Sequence, residues 1–162
     1  MPKWFADQRS QNSKKKAKAK AEVKVHLTHL NTTKSRNPSW WIIDSGATDH
    51  FCTHKSWFMN WTPYEVEISS SNSKTMSQGK GDIKLLFGDY KLTLKDVLYT
   101  LDLKANIIST ERLREENQVR YTNINTHCLV DILTMKTIVQ LNSSSGLPVI
   151  KANLKGKGKP VH

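Results

Sequence analysis

Between residues 39 and 151 the chain alternates short hydrophobic runs with turn-forming residues. The first run, Ser39–Ile43, contains two tryptophans and two isoleucines and predicts a buried β-strand. Further strands are predicted at Tyr64–Ser69, Lys74–Ser77, Asp82–Phe87, Lys91–Tyr99, Val119–Thr122, Cys128–Leu133, Thr137–Leu141 and Leu147–Lys151. Gly88-Asp89 and residues 143–146 are turn signals between them. Many short strands at this spacing predict an all-β fold, a sandwich or a small closed barrel of antiparallel strands.

One short helix interrupts the strands after residue 109. Ser109 or Thr110 can cap its first turn, and Glu111 suits the positive end of the helix dipole. Leu113 is expected to face the core, and Asn117 can adopt the left-handed conformation that ends a helix.

The net charge of +11 is unevenly distributed over the 162 residues. Residues 1–40 hold ten Lys/Arg against two Asp/Glu, residues 151–162 hold four Lys and no acid, and residues 41–150 hold eleven Lys/Arg against twelve Asp/Glu. This distribution predicts a basic disordered linker at 1–37, a folded domain at 38–150 and a basic flexible tail at 151–162.

The lysine-rich segment at residues 14–24 could contact RNA or DNA non-specifically through phosphates. A nuclear-import signal and a solvated spacer are the alternative interpretations of the same lysines. Val23, Val25, Leu27 and Leu30 are compatible with a short strand or a helical turn, and their spacing does not decide between the two.

Several classes of protein are excluded by the sequence. It lacks the run of about 18 apolar residues that a membrane span needs, so no membrane partner is expected. The N-terminus has no apolar signal-peptide core, and Cys52 and Cys128 cannot form a disulfide framework. An intracellular location with reduced thiols is expected.

The candidate chemistry lies at Asp44, where the first strand runs into Asp44-Ser45-Gly46-Ala47. A carboxylate directly after a large apolar run is costly to desolvate unless its surroundings hold it. Gly46 permits a tight turn, Ala47 keeps the loop uncrowded, and Ser45 can hydrogen-bond to a neighbouring loop. These are the requirements of one half of an aspartic protease site, in which two facing aspartates share one proton. Because the chain has a single Asp-Ser-Gly, the second aspartate must come from a homodimer partner.

Two other groups have less specific interpretations. His50, Cys52 and His54 form an H-x-C-x-H pattern, but this spacing matches no usual zinc site and the further ligands His127 and Cys128 lie far along the chain. We therefore expect no metal and no cofactor. Aromatic residues at 57, 58 and 61 could stack on bases, although the neutral local charge favours a role in the core.

The segment Trp41–His50 resembles the protease signature of copia-type retrotransposon Gag-Pol polyproteins, W-I-x-D-S-G-A-T-x-H. Three further motifs resemble that family in the same order: Gly79-Lys80-Gly81 after a polar hairpin, Leu94–Tyr99 with its V-L-Y ending, and Asn106-Ile107-Ile108-Ser109 followed by Leu113. The resemblance covers about residues 40 to 122.

This resemblance implies a retropepsin-like aspartic endopeptidase domain that acts as a homodimer on junctions of its own polyprotein. Asp44 would be catalytic, with Ser45, Gly46 and Ala47 as supporting loop residues. Ser71, Asn72, Ser73 and Gly79 would belong to the flap that covers a bound peptide, and Asn106 and Ile107 would begin the helix. The implied location is the cytoplasm, in virus-like particles, or the nucleus.

The flap turn departs from the family pattern, since Ser71-Asn72-Ser73 stands where the family often has Asn-Gly or Asp-Gly. A family proline near Leu101 is also replaced. The alternative function is therefore a catalytically inactive remnant of retrotransposon origin, which acts as a nucleic-acid-binding or assembly module through its basic tails.

Overall fold

A computed structural model describes residues 23–25, 40–71, 73–103, 105–142 and 148–154. The strands in chain order are β1 (Val23–Lys24), β2 (Trp40–Asp44), β3 (Phe51–Cys52), β4 (Met59–Pro63), β5 (Glu67–Ser69), β6 (Lys74–Met76), β7 (Gly79–Phe87), β8 (Tyr90–Tyr99), β9 (Asn106–Ser109), β10 (Val119–Thr122), β11 (Cys128–Asp131), β12 (Thr137–Gln140), β13 (Val149–Lys151) and β14 (Asn153–Leu154). A 3-10 turn covers Lys55–Trp57, and the short helix α1 (Thr110–Arg112) continues into a π-helical turn, Leu113–Asn117. Over these described residues, the prediction of an all-β fold with one short helix is confirmed.

The strands form three sheets. The largest follows the order β13-β2-β9-β3-β8-β7-β14, and β4 also pairs with β7. The smaller sheets have the orders β1-β5-β6 and β10-β11-β12. Within the described ranges no pairing joins β13 to β14, so the predicted closed barrel is not found there. No helix in this part of the chain is long and apolar enough to span a membrane.

The pairs β2–β9, β3–β8 and β1–β5 are parallel, so the prediction of antiparallel strands holds for only part of the fold. The direction of a strand depends on the connection that precedes it, and a hydrophobic pattern carries no information about direction.

Strand β2 is buried on both faces. Trp41 and Ile43 point into one hydrophobic core, and Ile42 points into a second core. Such a strand needs a continuous apolar run instead of alternation, which explains the sequence of this segment. Antiparallel β13 lies on one side of β2 and parallel β9 on the other, and the register places Asp44 beside Ser109. Asp44 therefore ends an interior strand of the largest sheet, next to the edge strand β13.

Strand β9 corrects one sequence-based expectation. Asn106 and Ile107 lie in this strand and do not begin the helix, whose N-cap is Ser109. The Asn106 side chain is buried, and its Nδ2 donates to the Trp40 carbonyl while its Oδ1 accepts from the Thr53 N–H. These bonds tie the beginning of β9 to two neighbouring segments. The helical segment ends at Asn117, and the left-handed residue that follows it is Gln118, with φ of 54°, one residue beyond the predicted Asn117.

Parts of both predicted tails are ordered. Val23–Lys24 forms β1, which decides the alternative that the sequence left open, and Asn153–Leu154 forms β14 against β7. Val25, Lys151 and Ala152 are also described, and the rest of the predicted linker and tail lies outside the described residues.

Gly81 allows β4 to cross close to β7. A Cβ atom at this position would lie 2.7 Å from the Met59 carbonyl oxygen and 3.1 Å from the Trp61 Cα. Both are backbone atoms, so relief requires a shift of the strand itself.

We expect Gly81→Ala to lower the free energy of unfolding by about 1 to 2 kcal/mol, because the added methyl group forces β4 away from β7. Urea denaturation of the variant measures this loss. Lys91→Ala, on an exposed position of β8, is the control and should stay within about 0.5 kcal/mol of the wild type. An unchanged urea midpoint for Gly81→Ala would show that β4 can shift away from β7 without loss of stability.

Candidate active site

The loop after β2 holds the Asp44 carboxylate in one orientation. The Gly46 N–H donates to Asp44 Oδ1 at 2.7 Å, and the Ala47 N–H donates to the Asp44 carbonyl at 3.5 Å. Asp44 is partly buried, Ser45 and Gly46 are exposed, and Ala47 is buried. A turn in which an aspartate accepts from the backbone two residues later is a common property of this side chain. The loop thus orients a carboxylate at the end of a buried strand.

Ser109 connects this loop to the helix. Its Oγ donates to the Ala47 carbonyl at 2.7 Å and accepts from the Arg112 N–H at 3.3 Å. Its backbone N–H donates to His50 Nδ1 at 3.0 Å. The residue beside Asp44 in the β2–β9 register therefore caps α1 and anchors the Asp44 loop at Ala47 and His50.

His50 is fully buried, and its burial is the main cause that lowers its pKa from 6.5 to about 3, with the Arg112 charge as the second cause. The neutral ring accepts at Nδ1 and therefore carries its proton on Nε2. Nε2 is buried without a hydrogen-bond partner in the part of the chain that the structure describes. His50 is thus a neutral structural group of the loop.

Arg112 fixes the same loop from the helix side. Its Nη1 lies 3.3 Å from Asp49 Oδ1, and its Nη2 lies 2.6 Å from Glu116 Oε1. The guanidinium also donates to the carbonyls of Lys95 and Asp96 in the middle of β8. Because the Arg112 side chain is only 14% exposed, these bonds are less screened than those of a surface ion pair.

We expect Arg112→Met to lower the free energy of unfolding by about 1 to 2 kcal/mol, because it removes the Arg112 donor from Asp49 Oδ1 and from two carbonyls. It should also raise the pKa of His50, since the Arg112 charge lowers that value. Denaturation and a proton NMR titration measure the two effects. Arg114→Met is the matched control, because Arg114 is 57% exposed and its ion pair with Glu115 is long, at 3.7 Å. Equal losses in both variants would contradict the role given to Arg112.

The hairpin formed by β5 and β6 is the predicted flap. Ser70 and Ser73 close its turn through the Ser70 N–H to Ser73 carbonyl bond of 2.8 Å and a hydroxyl pair at 2.8 Å. Ser71 and Ser73 are exposed at the tip, and Asn72 lies outside the described residues. Gly79 lies away from this tip, buried at the start of β7, where a Cβ atom would overlap the Trp61 ring.

Strand β1 contacts both the hairpin and the Asp44 loop. It pairs with β5 on one side. On the other side the Thr48 N–H donates to the Lys24 carbonyl at 2.9 Å, and the Lys24 N–H donates to Thr48 Oγ1 at 2.9 Å. The sequence singled out neither Thr48 nor this pairing, because nothing local to residues 23–25 indicates their partners.

The H-x-C-x-H residues have separate roles. Burial raises the pKa of the Cys52 thiol to about 12, and His50 Nδ1 is occupied by Ser109. Among the described residues, no three potential ligands are grouped for a metal ion.

In the aromatic group at residues 57, 58 and 61, Trp57 is buried against Trp41, with ring centroids 6.1 Å apart.

Residues 41–118 match the protein family described as "Pol polyprotein, beta-barrel domain". The matched segment begins in β2 and ends just after the helical segment, so it contains Asp44, the hairpin, Ser109 and Arg112. The match supports a domain of a retroelement Pol polyprotein. No solved structure matches the chain.

Proposed function

We propose that this chain is the retropepsin-like aspartic endopeptidase domain of a copia-type retrotransposon polyprotein, and that it cleaves Gag-Pol junctions as a homodimer with one Asp44 per chain. The observation that carries the proposal is the orientation of the Asp44 carboxylate by the Gly46 N–H, at the end of a strand buried on both faces. The match to a Pol polyprotein domain supports the broader part of the proposal, an origin in a retroelement Pol polyprotein.

The proposed chemistry requires two Asp44 carboxylates at a twofold axis. Their mutual repulsion keeps one proton on the pair, so the two groups titrate together. The charged carboxylate accepts a proton from a water molecule, whose oxygen attacks the peptide carbonyl carbon. The protonated carboxyl donates to the carbonyl oxygen, and a proton is then returned to the leaving amine as the C–N bond breaks. Only a dimer supplies both groups.

The hairpin at 67–76 has the proposed role of the flap, with Ser71 and Ser73 at its tip and Asn72 between them in the sequence. A flap of this kind would exclude water and align an extended peptide through main-chain hydrogen bonds. The Arg112 and Ser109 bonds would keep the Asp44 loop in place during closure.

The remaining partners belong to the same proposal. The lysine-rich residues 14–24 would contact RNA or DNA inside a cytoplasmic virus-like particle, with the nucleus as a second location. Such contacts release counterions, so their affinity would fall with salt.

Subunit mixing tests the dimer directly. Wild-type chain is mixed with Asp44→Asn chain at constant total concentration, and hydrolysis of a family junction peptide is followed at mildly acidic pH. If mixed dimers are inactive, an equal mixture should retain about one quarter of the activity, because only wild-type pairs hold two carboxylates. Asp89→Asn, in the exposed β7–β8 turn, is the control partner and should not reduce activity. A decline in simple proportion to the wild-type fraction would contradict the dimer.

A further inference from the structure

Strand β1 is held from both sides by elements of the candidate site. On one side Val23 lies beside Ile68 and Lys24 beside Ser69 of the hairpin, and the Val25 N–H donates to the Ser69 carbonyl at 3.0 Å. On the other side the backbone of Lys24 exchanges two hydrogen bonds of 2.9 Å with Thr48. Three extended residues therefore lie between the predicted flap and the Asp44 loop.

The side chains of this segment alternate in burial. Val23 is 5% exposed and Val25 is 3% exposed, whereas Lys24 points to solvent. The two valines belong to the same hydrophobic core as Ala47 of the Asp44 loop and Ile68 of the hairpin. The groove between the hairpin and the Asp44 loop therefore holds two apolar, β-branched side chains, one on each side of an exposed residue.

This is the pattern by which proteins bind extended peptides. Main-chain hydrogen bonds to an exposed strand provide affinity, and pockets for alternate side chains provide selectivity. A cavity of about 180 Å³ adjoins Val25 and is lined in part by Ser73, Lys74 and Leu103, so the site has further space beside the occupied positions.

We propose that residues 23–25 are an intramolecular occupant of the peptide groove, and that they compete with any peptide that enters from another molecule. This inference rests on the proposed function, because it assigns the groove to the Asp44 site. The preferred ligand is an extended segment with β-branched apolar residues on both sides of an unrestricted residue. An occupied groove lowers the apparent affinity for a second peptide in proportion to the fraction of chains that are open.

The test uses the full chain carrying Asp44→Asn, so that no bound peptide is cut. In this background Val23→Asp/Val25→Asp puts two charges into the apolar positions and should release β1. Lys24→Gln is the matched control, since the Lys24 side chain is exposed. The probe is a labelled peptide with the sequence of residues 20–28, and fluorescence anisotropy measures its binding. The double-aspartate chain should bind it at least about ten times more tightly than the parent or Lys24→Gln.

Amide hydrogen exchange by NMR gives a second measurement. The Thr48 amide should exchange at least about ten times faster in the double-aspartate chain and regain protection when the peptide is added, because its acceptor is the Lys24 carbonyl. Core amides of β7 and β8 should be unchanged, which reports that the chain is folded. If these core amides exchange faster, the double-aspartate chain is not fully folded. Val23→Thr/Val25→Thr, which keeps the side-chain shape, is then used in its place.

Equal peptide affinity and equal Thr48 protection in all chains would overturn the proposal. Thr48 protection that rises with protein concentration would also overturn it, because the strand would then come from a second molecule. Neither measurement depends on hydrolysis, so a chain that proves inactive as a protease still gives an answer about the groove.

Discussion

Asp44→Asn should reduce hydrolysis of a family junction peptide at mildly acidic pH by about a thousand-fold or more. An amide cannot accept a proton from water at this pH, and general acid–base catalysis contributes about 10² to 10⁴ to such reactions. Asparagine keeps an oxygen that can accept the Gly46 N–H, so the loop should remain folded. The effect should appear mainly in kcat, since the side chain changes the reacting group and leaves peptide contacts in place.

Asp89→Asn is the control for this result, because it removes the same charge from an exposed turn. Its kcat/KM should equal that of the wild type. If Asp44→Asn keeps its activity while the wild type cleaves, another group acts as the base. If both chains are inactive on a junction peptide that they bind, the inactive remnant becomes the better description of this protein.

Acidification should destabilise the wild type through His50. The folded-state pKa of this residue is about 3, whereas the unfolded chain titrates near 6.5. Between these values the unfolded state binds more protons, so the stabilisation is complete above pH 6.5 and is lost as the pH falls towards 3. Because one pKa unit corresponds to about 1.4 kcal/mol, we expect His50 to remove about 3 kcal/mol between pH 6.5 and pH 4.

His50→Asn isolates this contribution. Its side-chain oxygen can accept the Ser109 N–H, but it does not titrate, so the free energy of unfolding should depend less steeply on pH than in the wild type. The variant should have a lower stability at neutral pH, because the smaller side chain leaves a void. Urea denaturation from pH 7 to pH 4 measures the slopes, and NMR of the imidazole protons measures the pKa directly. A His50 signal that titrates near pH 6.5 in the folded protein would disprove this account.

The predictions for Asp44 and His50 set the upper and the lower pH limit of activity. The proposed Asp44 pair loses its shared proton as the pH rises, whereas the fold loses stability through His50 as the pH falls. Activity should therefore have its lower limit where unfolding begins.

The sequence was informative wherever the determining interactions are local. Ser109 was one of two predicted helix caps and is the observed N-cap, and the predicted strand Val119–Thr122 has the observed bounds. The apolar run before Asp44 predicted a buried strand, because a strand that is buried on both faces has apolar residues at consecutive positions. The Asp44-Ser45-Gly46 turn likewise depends on neighbouring residues only.

The rest depends on partners far along the chain. Strand β3 has two residues, and its existence follows from pairing with β8 and β9. The neutral state of His50 depends on its burial and on the charge of Arg112, and its Nδ1 accepts from Ser109; both residues are about sixty positions away in sequence. No periodicity at residues 23–25 indicates that the hairpin and Thr48 will enclose them. Short segments of this kind are ambiguous until their tertiary contacts are known.

The three bonds of Ser109 have a consequence for motions far from the carboxylate. Because one hydroxyl both caps α1 and restrains the Ala47 carbonyl, fraying of the first helical turn and loosening of the Asp44 loop are coupled equilibria. Substitutions that shift helix–coil balance on the solvent side of residues 110–117 should therefore alter the population of chains whose loop is ordered, without touching any residue near Asp44.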